Sequence, residues 1–364
     1  MINAFLSDDH SVTDDIMRRY AVFLLSGFSI HGYSIAVDTI KEYFAEVNRY
    51  YVHKGFRKPF DYKDSSPASR LLREQKKFED EPDKRDPLTE EMCIKMMDLA
   101  KEYGNLSFQA AVWNFTALGR YGGFRAQEFC MDSPHEIRFY ICPNGDYVIR
   151  AFTYADFVFY DAHDVQVLDP LRHKESCVVG GQRYKIQKNR MNGQIITQKR
   201  SAEYPQFCAL EHMFQILERA EALDHGSQND PLCVYKDDVD IKFLTGNNIT
   251  AFYRTVLSSI QPEVTDAKLK LISTHSLRVY ACVLLHEANK DGTYIKLRLR
   301  WKSDCFEVYL RNTKRIRAQH QEALEGTNAM MAKLVADAAV DGNIADIRFG
   351  GTEDTTVDLE DEAD

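Results

Sequence analysis

The first 85 residues carry an apolar pattern with helical spacing. Between Val37 and Tyr51, hydrophobic side chains recur every three or four positions and so share one face of a helix. Ser34 is placed to cap this helix and Gly55 to end it. We therefore expect a helical N-terminal domain over residues 1–85.

A polar and charged stretch from residue 61 to 86 closes this domain. It contains Pro67 and Pro82, which interrupt regular structure. The stretch is typical of a linker, with one short helix predicted at 69–78.

The second domain is predicted to begin with two helices. Thr89 caps the first, and Gly104 marks its end. The second runs through 107–121 and leads into Gly122-Gly123 and Arg125. Because glycine accepts backbone angles that other residues avoid, the pair predicts a sharp turn that points Arg125 into a cleft.

The middle of the chain is predicted to contain β-strands. Residues 136–142 and 147–153 flank Asn144-Gly145, a dipeptide typical of hairpin turns. A second hairpin is predicted from 183–188 and 194–197.

Helices return in the last part of the second domain. They are predicted at 206–223 and at 249–260, the latter capped by Asn247 or Asn248. An apolar run at 279–285 predicts a further, buried helix. The predicted fold is thus mainly α with a small antiparallel β region, an α+β fold.

Length and composition favour two globular domains. The chain has 364 residues, of which 44% are hydrophobic and 12% aromatic, enough for substantial cores. No apolar run is as long as a membrane span, and the N-terminus lacks the basic and then apolar order of a leader. These features predict a soluble, intracellular protein, in the nucleus if the source is eukaryotic and otherwise in the cytoplasm or nucleoid.

The cysteines do not form a ligand pattern. All eight stand singly, without a C-x-x-C pair. We interpret them as reduced, mostly buried thiols rather than as disulfides or a zinc site. No metal and no cofactor are expected.

The net charge of −9 is unevenly distributed. Seven carboxylates and no Lys or Arg lie between residues 353 and 364. Basic residues cluster at 54–63, 70–77, 185–200 and 296–317. An acidic protein with such clusters can still present a basic surface to a polyanion.

The strongest chemical pattern lies near the C-terminal end. His275 and Arg278 are three residues apart, so a helix capped just before His275 would present both on one face of its first turn. Trp301 follows, and Tyr309 comes eight residues after it in a predicted helix.

This ordered set resembles the tyrosine recombinases, the phage-integrase type of site-specific DNA recombinase. In that family a His-x-x-Arg pair, then a His or Trp, then a nucleophilic Tyr form the second half of the site. The segment 300–311 is most similar to variants from mobile elements of eukaryotes. The first half is a catalytic Arg after a glycine-containing turn, with Glu three residues later, and Arg125 and Glu128 match it.

The resemblance also implies a catalytic lysine in a β-hairpin turn. Lys188 fits best, with Lys185, Lys199 and Arg190 as alternatives. The sequence departs from the family at Thr274, where a glycine is common before the His. A second departure is Arg300, where a glycine often precedes the Trp.

The implied chemistry is cleavage and rejoining of DNA through a 3′-phosphotyrosyl intermediate. Arg125 and Arg278 would bind the phosphate oxygens, because guanidinium is permanently cationic and bidentate. His275 would donate a hydrogen bond or move a proton, and Trp301 would donate from its indole N–H. Neighbouring cations would stabilise the phenolate of the nucleophile, Tyr309. Lys188 would protonate the leaving 5′-oxygen.

The resemblance further implies the partners and the division of the chain. Residues 1–85 would clamp double-stranded DNA, and residues 86–320 would hold the catalytic site. Residues 321–364 would provide a docking helix and an acidic tail for a higher-order complex, a tetramer on DNA, with no membrane involved. The apolar positions of the docking helix are Met330, Met331, Leu334, Val335 and Ala338. This helix could equally pack on its own domain.

Two other functions fit the same residues. One is DNA relaxation by a topoisomerase of type IB, which shares the constellation and the phosphotyrosine. The other is DNA binding by a descendant of a recombinase that no longer cleaves.

Overall fold

The computed structural model describes most of the chain. The described residues are 10–27, 35–63, 66–79, 84–141, 147–187, 192–310 and then 313, 315–316, 318–319, 321–322, 325 and 331–333. Two compact units make up the chain, Met1–Asp83 and Lys84–Asp364.

The first unit is helical in its described part. Its helices are α1 (His10–Leu25), α2 (Val37–His53) and α3 (Pro67–Phe78). The predictions of a helix between Val37 and Tyr51 and of a short helix at 69–78 are confirmed. Gly55 has a φ of +81° just beyond the end of α2, as its predicted role requires. Ser34, the predicted cap, lies outside the described residues.

Helix α3 begins two residues earlier than predicted. Pro67 occupies its first turn, where a fixed φ is compatible with helix and no N–H is needed. Ser66 caps it, because its Oγ accepts a hydrogen bond of 3.3 Å from the backbone N–H of Ser69. A serine and a proline inside the predicted linker thus start the helix.

A small apolar core holds the first unit together. Phe44 of α2 contacts Phe60 edge-on, with ring centroids 4.6 Å apart. The other buried members are Met17, Ala21, Leu24, Ile35, Val37, Ile40, Ala68 and Leu72. Of the apolar positions predicted to share a face of α2, Val37, Ile40 and Phe44 are buried, whereas Tyr43 is 37% exposed.

The second unit contains eight helices and seven strands among its described residues. The helices are α4 (Glu90–Tyr103), α5 (Phe108–Gly122), α6 (Ala126–Phe129), α7 (Ala209–Ala222), α8 (Gly246–Ile260), α9 (Asp266–Lys270), α10 (His275–Glu287) and α11 (Gly292–Leu299). The strands are β1 (Tyr140–Ile141), β2 (Tyr147–Val148), β3 (Phe157–Tyr160), β4 (Val179–Tyr184), β5 (Gln194–Lys199), β6 (Val234–Asp237) and β7 (Asp240–Phe243).

The first two helices of this unit start where the sequence predicts. Thr89 Oγ1 accepts a hydrogen bond of 3.3 Å from the N–H of Met92, and Ser107 Oγ accepts one of 3.1 Å from Ala110. Gly104 ends α4 with a φ of +78°. Both caps satisfy N–H groups that the helix itself leaves without a partner.

The strands form three small antiparallel sheets, in the orders β1-β2, β3-β4-β5 and β6-β7. The predicted fold class, mainly α with a small antiparallel β region, is confirmed. Strand β3 and the hairpin β6-β7 were not among the predicted strands. Strand β3 pairs with residues distant in sequence, as in the register of Phe157 with Gln182, whereas β6 and β7 pair locally, as in that of Asp237 with Asp240.

The second predicted hairpin exists with different limits. Strand β4 begins at Val179 and ends at Tyr184, which pairs with Gln194. Residues 185–193 therefore connect the strands, and Lys185 is not part of β4. The early start includes Gly180, where a Cβ would lie 3.0 Å from Cγ of Leu210, a tight contact. Glycine inside a strand is typical of a place where another element packs closely.

The predicted cap of α8 is wrong. Thr245 precedes the helix, and its Oγ1 accepts a hydrogen bond of 3.3 Å from the N–H of Asn248. Asn248 Oδ1 accepts one of 2.8 Å from the N–H of Thr245 in return. Asn248 is thus the third residue of a capping box and not the cap itself. The predicted helix 206–223 also divides, into a 3₁₀ helix at Pro205–Phe207 and α7.

Helix α5 lies at the centre of the second unit and is buried along most of its length. Gly119 lets α10 approach it, because a Cβ on Gly119 would lie 2.5 Å from Cδ2 of Leu277. The start of α10 is thereby held beside the end of α5. Among the described residues, no helix is long and apolar enough to cross a membrane.

Candidate active site

The turn after α5 adopts the conformation expected of its glycines. Gly123 has a φ of +55°, in the left-handed region that favours glycine. A Cβ on Gly122 would lie 2.7 Å from the ring of Phe124, so this position also requires glycine. Immediately after the turn, Arg125 is the N-cap residue of α6. The prediction of a sharp turn before Arg125 is confirmed.

Arg125 remains partly open to solvent. Its side chain is 29% exposed, and its Nη1 donates to Oε1 of Glu128 at 3.2 Å. Its backbone N–H donates to the other oxygen of Glu128 at 2.9 Å. Glu128 therefore fixes the backbone of Arg125 firmly and holds its guanidinium by a long contact.

His275 and Arg278 occupy the first turn of α10. The N–H of His275 donates to Oγ of Ser273 at 3.2 Å, and the N–H of Ser273 donates to Oγ of Ser276 at 3.0 Å. Thr274 is the N-cap by position but makes no side-chain cap. Two serine hydroxyls thus accept hydrogen bonds from backbone N–H groups at the start of the helix.

Arg278 is almost completely buried, with 2% of its surface exposed. Its Nη2 donates to the carbonyl of Leu299 at 2.6 Å, and its Nη1 donates to the carbonyl of Gly123. The guanidinium also stacks on the ring of Trp301, 4.4 Å from its centroid. Arg278 therefore joins the glycine turn to the end of α11.

Trp301 offers a hydrogen-bond donor with no partner in the described part of the chain. Its Nε1 is buried and makes no hydrogen bond there. A buried N–H without an acceptor is costly, and such groups often mark places where a ligand supplies the acceptor.

Tyr309 lies beside His275. It ends a 3₁₀ helix, Asp304–Tyr309, which starts where the sequence predicts a helix. Its hydroxyl is 3.1 Å from Nε2 of His275, within hydrogen-bonding distance. The ring of Trp301 lies 6.1 Å from that of Tyr309, centroid to centroid. Four predicted site residues thus lie close together: His275, Arg278, Trp301 and Tyr309.

The pKa of His275 is lowered from its ordinary value. Burial is the main cause, and the positive charges of Arg278, Arg85 and Arg125 add to it. His275 is therefore neutral near pH 7, with one ring nitrogen able to accept a proton.

The pKa of Tyr309 is raised, mainly by burial, and Arg278 opposes the rise. We expected neighbouring cations to favour the phenolate, but in the free protein burial has the larger effect. The hydroxyl thus keeps its proton until a base removes it.

Arg300 is a buried residue of the site whose structural role the sequence did not predict. It has a φ of +58°, which in an L-residue other than glycine costs on the order of 1–2 kcal/mol. Its Nη2 donates to Glu128 at 3.1 and 2.9 Å, and its Nη1 donates to the carbonyl of Gly122 at 2.6 Å. The backbone conformation is one that glycine would adopt without strain. The side-chain contacts explain how an arginine is tolerated.

Lys185, one of the candidate catalytic lysines, is held by other groups of the domain. Lys185 donates to Asp156 at 2.6 Å and to the carbonyl of Ala151 at 3.1 Å, so its ammonium is bound inside the domain. Burial lowers its pKa, and Asp156 opposes the change. Lys199 is exposed at the end of β5. Lys188 and Arg190 lie outside the described residues.

The residue before Lys188 does reach the site. Oε1 of Gln187 accepts a hydrogen bond of 3.1 Å from Nε of Arg300. The backbone N–H of Gln187 donates to Oδ1 of Asn192 at 2.7 Å, so these two residues between β4 and β5 are held together.

One buried cation of the site, Arg300, was missed by the sequence prediction of its residues. In the sequence it stands out only as a departure from the family pattern. Arg300 directly precedes Trp301, and this adjacency was the available signal.

No group of three or more His, Cys, Asp or Glu that could hold a metal ion occurs among the described residues. Seven of the cysteines are described; all are free thiols, and Cys305 alone among them is exposed.

Comparison with known proteins gives structural likeness only. No protein-family model and no curated protein matches the chain. It is similar to the solved structure of XerA recombinase, at 13% identity and a TM-score of 0.37, over 88% of each chain. It is also similar to a lambda integrase dimer bound to a COC′ core site, at 12% identity and a TM-score of 0.41, over 86% of this chain and 85% of that one.

A third similar structure is the Tn1549 transposon integrase in complex with circular intermediate DNA. The identity is 11% and the TM-score 0.41, over 83% of this chain and 81% of that one. All three are tyrosine recombinases, the family that the ordered residues resemble. At these TM-scores the likeness carries no argument about function.

Proposed function

We propose that this chain cleaves and rejoins double-stranded DNA through a 3′-phosphotyrosyl intermediate, as a recombinase or integrase. The observation that carries the proposal is the distance of 3.1 Å between the Tyr309 hydroxyl and Nε2 of His275. A phenol and a neutral imidazole at this distance form a nucleophile and its base.

In the first chemical step the Tyr309 oxygen attacks phosphorus and forms the new O–P bond, while the bond from phosphorus to the 5′-oxygen breaks. Nε2 of His275 takes the phenolic proton, since the lowered pKa of this imidazole keeps it neutral. A general acid gives a proton to the departing 5′-oxygen. Rejoining is the reverse, with a 5′-hydroxyl as the nucleophile.

The groups proposed to stabilise the negative charge of the phosphate differ in how freely their side chains can move. Arg125 is 29% exposed and can turn towards the non-bridging oxygens. The buried N–H of Trp301 has no protein acceptor among the described residues and can donate to the same oxygens. Arg278 contributes its charge from a buried position behind Trp301.

Lys188 is proposed as the general acid. The support is indirect: its neighbour Gln187 contacts Arg300, which directly precedes Trp301. Lys185 is a poorer candidate, because its ammonium is bound to Asp156.

The first unit is proposed to clamp the duplex. Basic side chains exposed on it include Lys54, Arg57, Lys58 and Lys63. Such residues neutralise backbone phosphates without reading sequence. Strand exchange would bring four protomers together on two duplexes.

A suicide substrate tests the proposal. A duplex nicked just 3′ of the scissile phosphate loses its short 5′-hydroxyl product after cleavage, and the covalent complex accumulates. We expect an adduct stable in denaturant, absent in Tyr309→Phe and present in Tyr294→Phe, which changes an exposed tyrosine on α11. The target sequence is unknown, so the substrates are drawn from a pool selected by binding to the protein.

A second candidate is DNA binding without cleavage. It is favoured by the burial of Arg278, a residue that is 2% exposed and whose guanidinium donates to two carbonyl oxygens. A phosphate could replace these carbonyls only if the turn at Gly123 opened. Under this alternative the selected duplex binds tightly and no adduct forms with any nicked substrate.

A further inference from the structure

We propose that Arg300 is a positioning residue that occupies Glu128 and thereby leaves the guanidinium of Arg125 available to a phosphate. The inference rests on the proposed function, which it deepens by adding a residue that acts through another one. Its starting observation is that one buried carboxylate, Glu128, faces two arginines.

The two arginines bind this carboxylate differently. Nη2 of Arg300 lies 3.1 Å from one oxygen of Glu128 and 2.9 Å from the other. Arg125 reaches it with Nη1 alone in the described structure, at 3.2 Å. The Arg300 side chain is fully buried, whereas that of Arg125 is 29% exposed. Away from water the ionic hydrogen bond is stronger, so Arg300 is the main partner of Glu128.

Other contacts keep Arg300 in this role. Its Nη1 donates to the carbonyl of Gly122 at 2.6 Å, and its Nε donates to Gln187 at 3.1 Å. The guanidinium also stacks on Tyr184, 3.4 Å from the ring centroid. The residue therefore connects the glycine turn, the β4–β5 hairpin and the start of the Trp301 segment.

The backbone conformation of Arg300 also indicates that its side chain has a specific role. Arg300 holds a left-handed conformation that glycine would adopt without strain. This backbone conformation disfavours arginine, whereas the side-chain contacts of Arg300 stabilise it. Removing the side chain relieves the strain and at the same time leaves Glu128 without its main partner.

Arg300→Gly tests this role in the full-length chain. Arg125 is then the remaining cation on Glu128 and should turn from the phosphate to the carboxylate. We expect the single-turnover rate of adduct formation on the suicide substrate to fall by a factor on the order of 10², the scale for a displaced catalytic group. Affinity for the uncleaved duplex should change less than threefold.

A second substitution should reverse the loss. In Arg300→Gly/Glu128→Gln the neutral amide no longer holds Arg125, and we expect at least a tenfold recovery of the rate over Arg300→Gly. A merely structural Arg300 predicts the opposite, because the second change would remove a further contact. A rate in the double variant at or below that of Arg300→Gly would overturn the proposal, as would a wild-type rate in Arg300→Gly.

Arg219 provides a matched control. It is also fully buried and bonded to backbone oxygens, those of Val234 and Asn105, outside the candidate site. Arg219→Gly should lower the melting temperature without a specific loss of cleavage at a temperature where it is folded. If it slows cleavage as much as Arg300→Gly does, the positioning role is refuted. Should either glycine variant fail to fold, Arg300→Lys and Arg219→Lys replace them, with a smaller rate loss expected for Arg300→Lys alone.

A crystal structure of Arg300→Gly separates this inference from the proposed function. We expect both terminal nitrogens of Arg125 to contact Glu128. An unchanged single contact near 3.2 Å would overturn the positioning role even if the wild type cleaves DNA. A wild type that forms no adduct would instead refute the proposed function, and the crystal structure would still decide the role of Arg300.

Discussion

Arg125 and Arg278 lie in the same site and in opposite surroundings. Arg278 is 2% exposed and donates to the carbonyls of Gly123 and Leu299, so its guanidinium fastens two segments together. Arg125 keeps 29% of its side chain exposed and makes one long side-chain contact in the described structure. The two arginines carry the same charge but differ in role. Arg278 stabilises the structure of the site, whereas Arg125 is accessible to a ligand.

Substituting each arginine by alanine is expected to separate these tasks most strongly. Arg278→Ala leaves two buried carbonyls without donors, so it should destabilise the fold by about 2–5 kcal/mol as well as abolish cleavage. Arg125→Ala should slow cleavage by a factor on the order of 10² or more with little effect on unfolding. Thermal melts and single-turnover trapping measure the two effects. Equal melting temperatures in the two variants would remove the distinction.

The lysines offer a second contrast of the same kind. Lys188→Ala should slow cleavage by a factor on the order of 10² and be rescued by a 5′-thio leaving group, which departs without a proton. Lys185→Ala should chiefly lower stability, because it leaves the buried carboxylate of Asp156 unpaired. Rescue of Lys185→Ala and not of Lys188→Ala by the thio substrate would reverse the assignment.

Trp301 is expected to have a smaller effect than either cation. Trp301→Phe keeps an aromatic ring, though a smaller one, beside Arg278 and removes the N–H that has no acceptor in the described residues. The loss should be on the order of tenfold in cleavage rate, the scale of one hydrogen bond to a charged group. Stability should hold or rise, since an unsatisfied buried donor disappears. A destabilised variant with normal cleavage would contradict this role.

The pH dependence of cleavage is expected to show the smallest effect. The pKa of His275 lies below the ordinary value of 6.5, because the group is buried among arginines. Cleavage by neutral His275 should therefore be fully present above pH 6.5 and be lost only as pH falls through the lowered pKa. The rate at limiting DNA, measured from pH 5 to 8, reports this group in the free protein. An acid limb above pH 6.5 that His275→Gln removes would contradict the direction.

The sequence predicted those parts of the fold that depend on neighbours in the chain. The cap at Thr89, the helix that follows Ser107 and the turn before Arg125 are local features, and all three are as predicted. Strand β3 and the role of Arg300 depend on partners far along the chain, as in the contact between Arg300 and Glu128. Such pairs leave no periodic trace, so pattern analysis could not find them.

The candidate site shows the same division. The order of His275, Arg278, Trp301 and Tyr309 was enough to select residues that the structure brings together. Order alone could not show which arginine is buried, or that burial raises the pKa of Tyr309. The docking helix stays a prediction: of its apolar positions only Met331 is described, 50% exposed, and the other four lie outside the described residues.

The most direct test of the central claim is to identify the residue that becomes bound to DNA. The adduct trapped on a nicked duplex is digested with protease and nuclease, and the modified peptide is sequenced by mass spectrometry. We predict a 3′-phosphonucleotide on Tyr309, lost in Tyr309→Phe while duplex binding is kept. A phosphate on another residue, such as the exposed Tyr294, or a complete absence of adduct in the wild type with tight duplex binding, would contradict it.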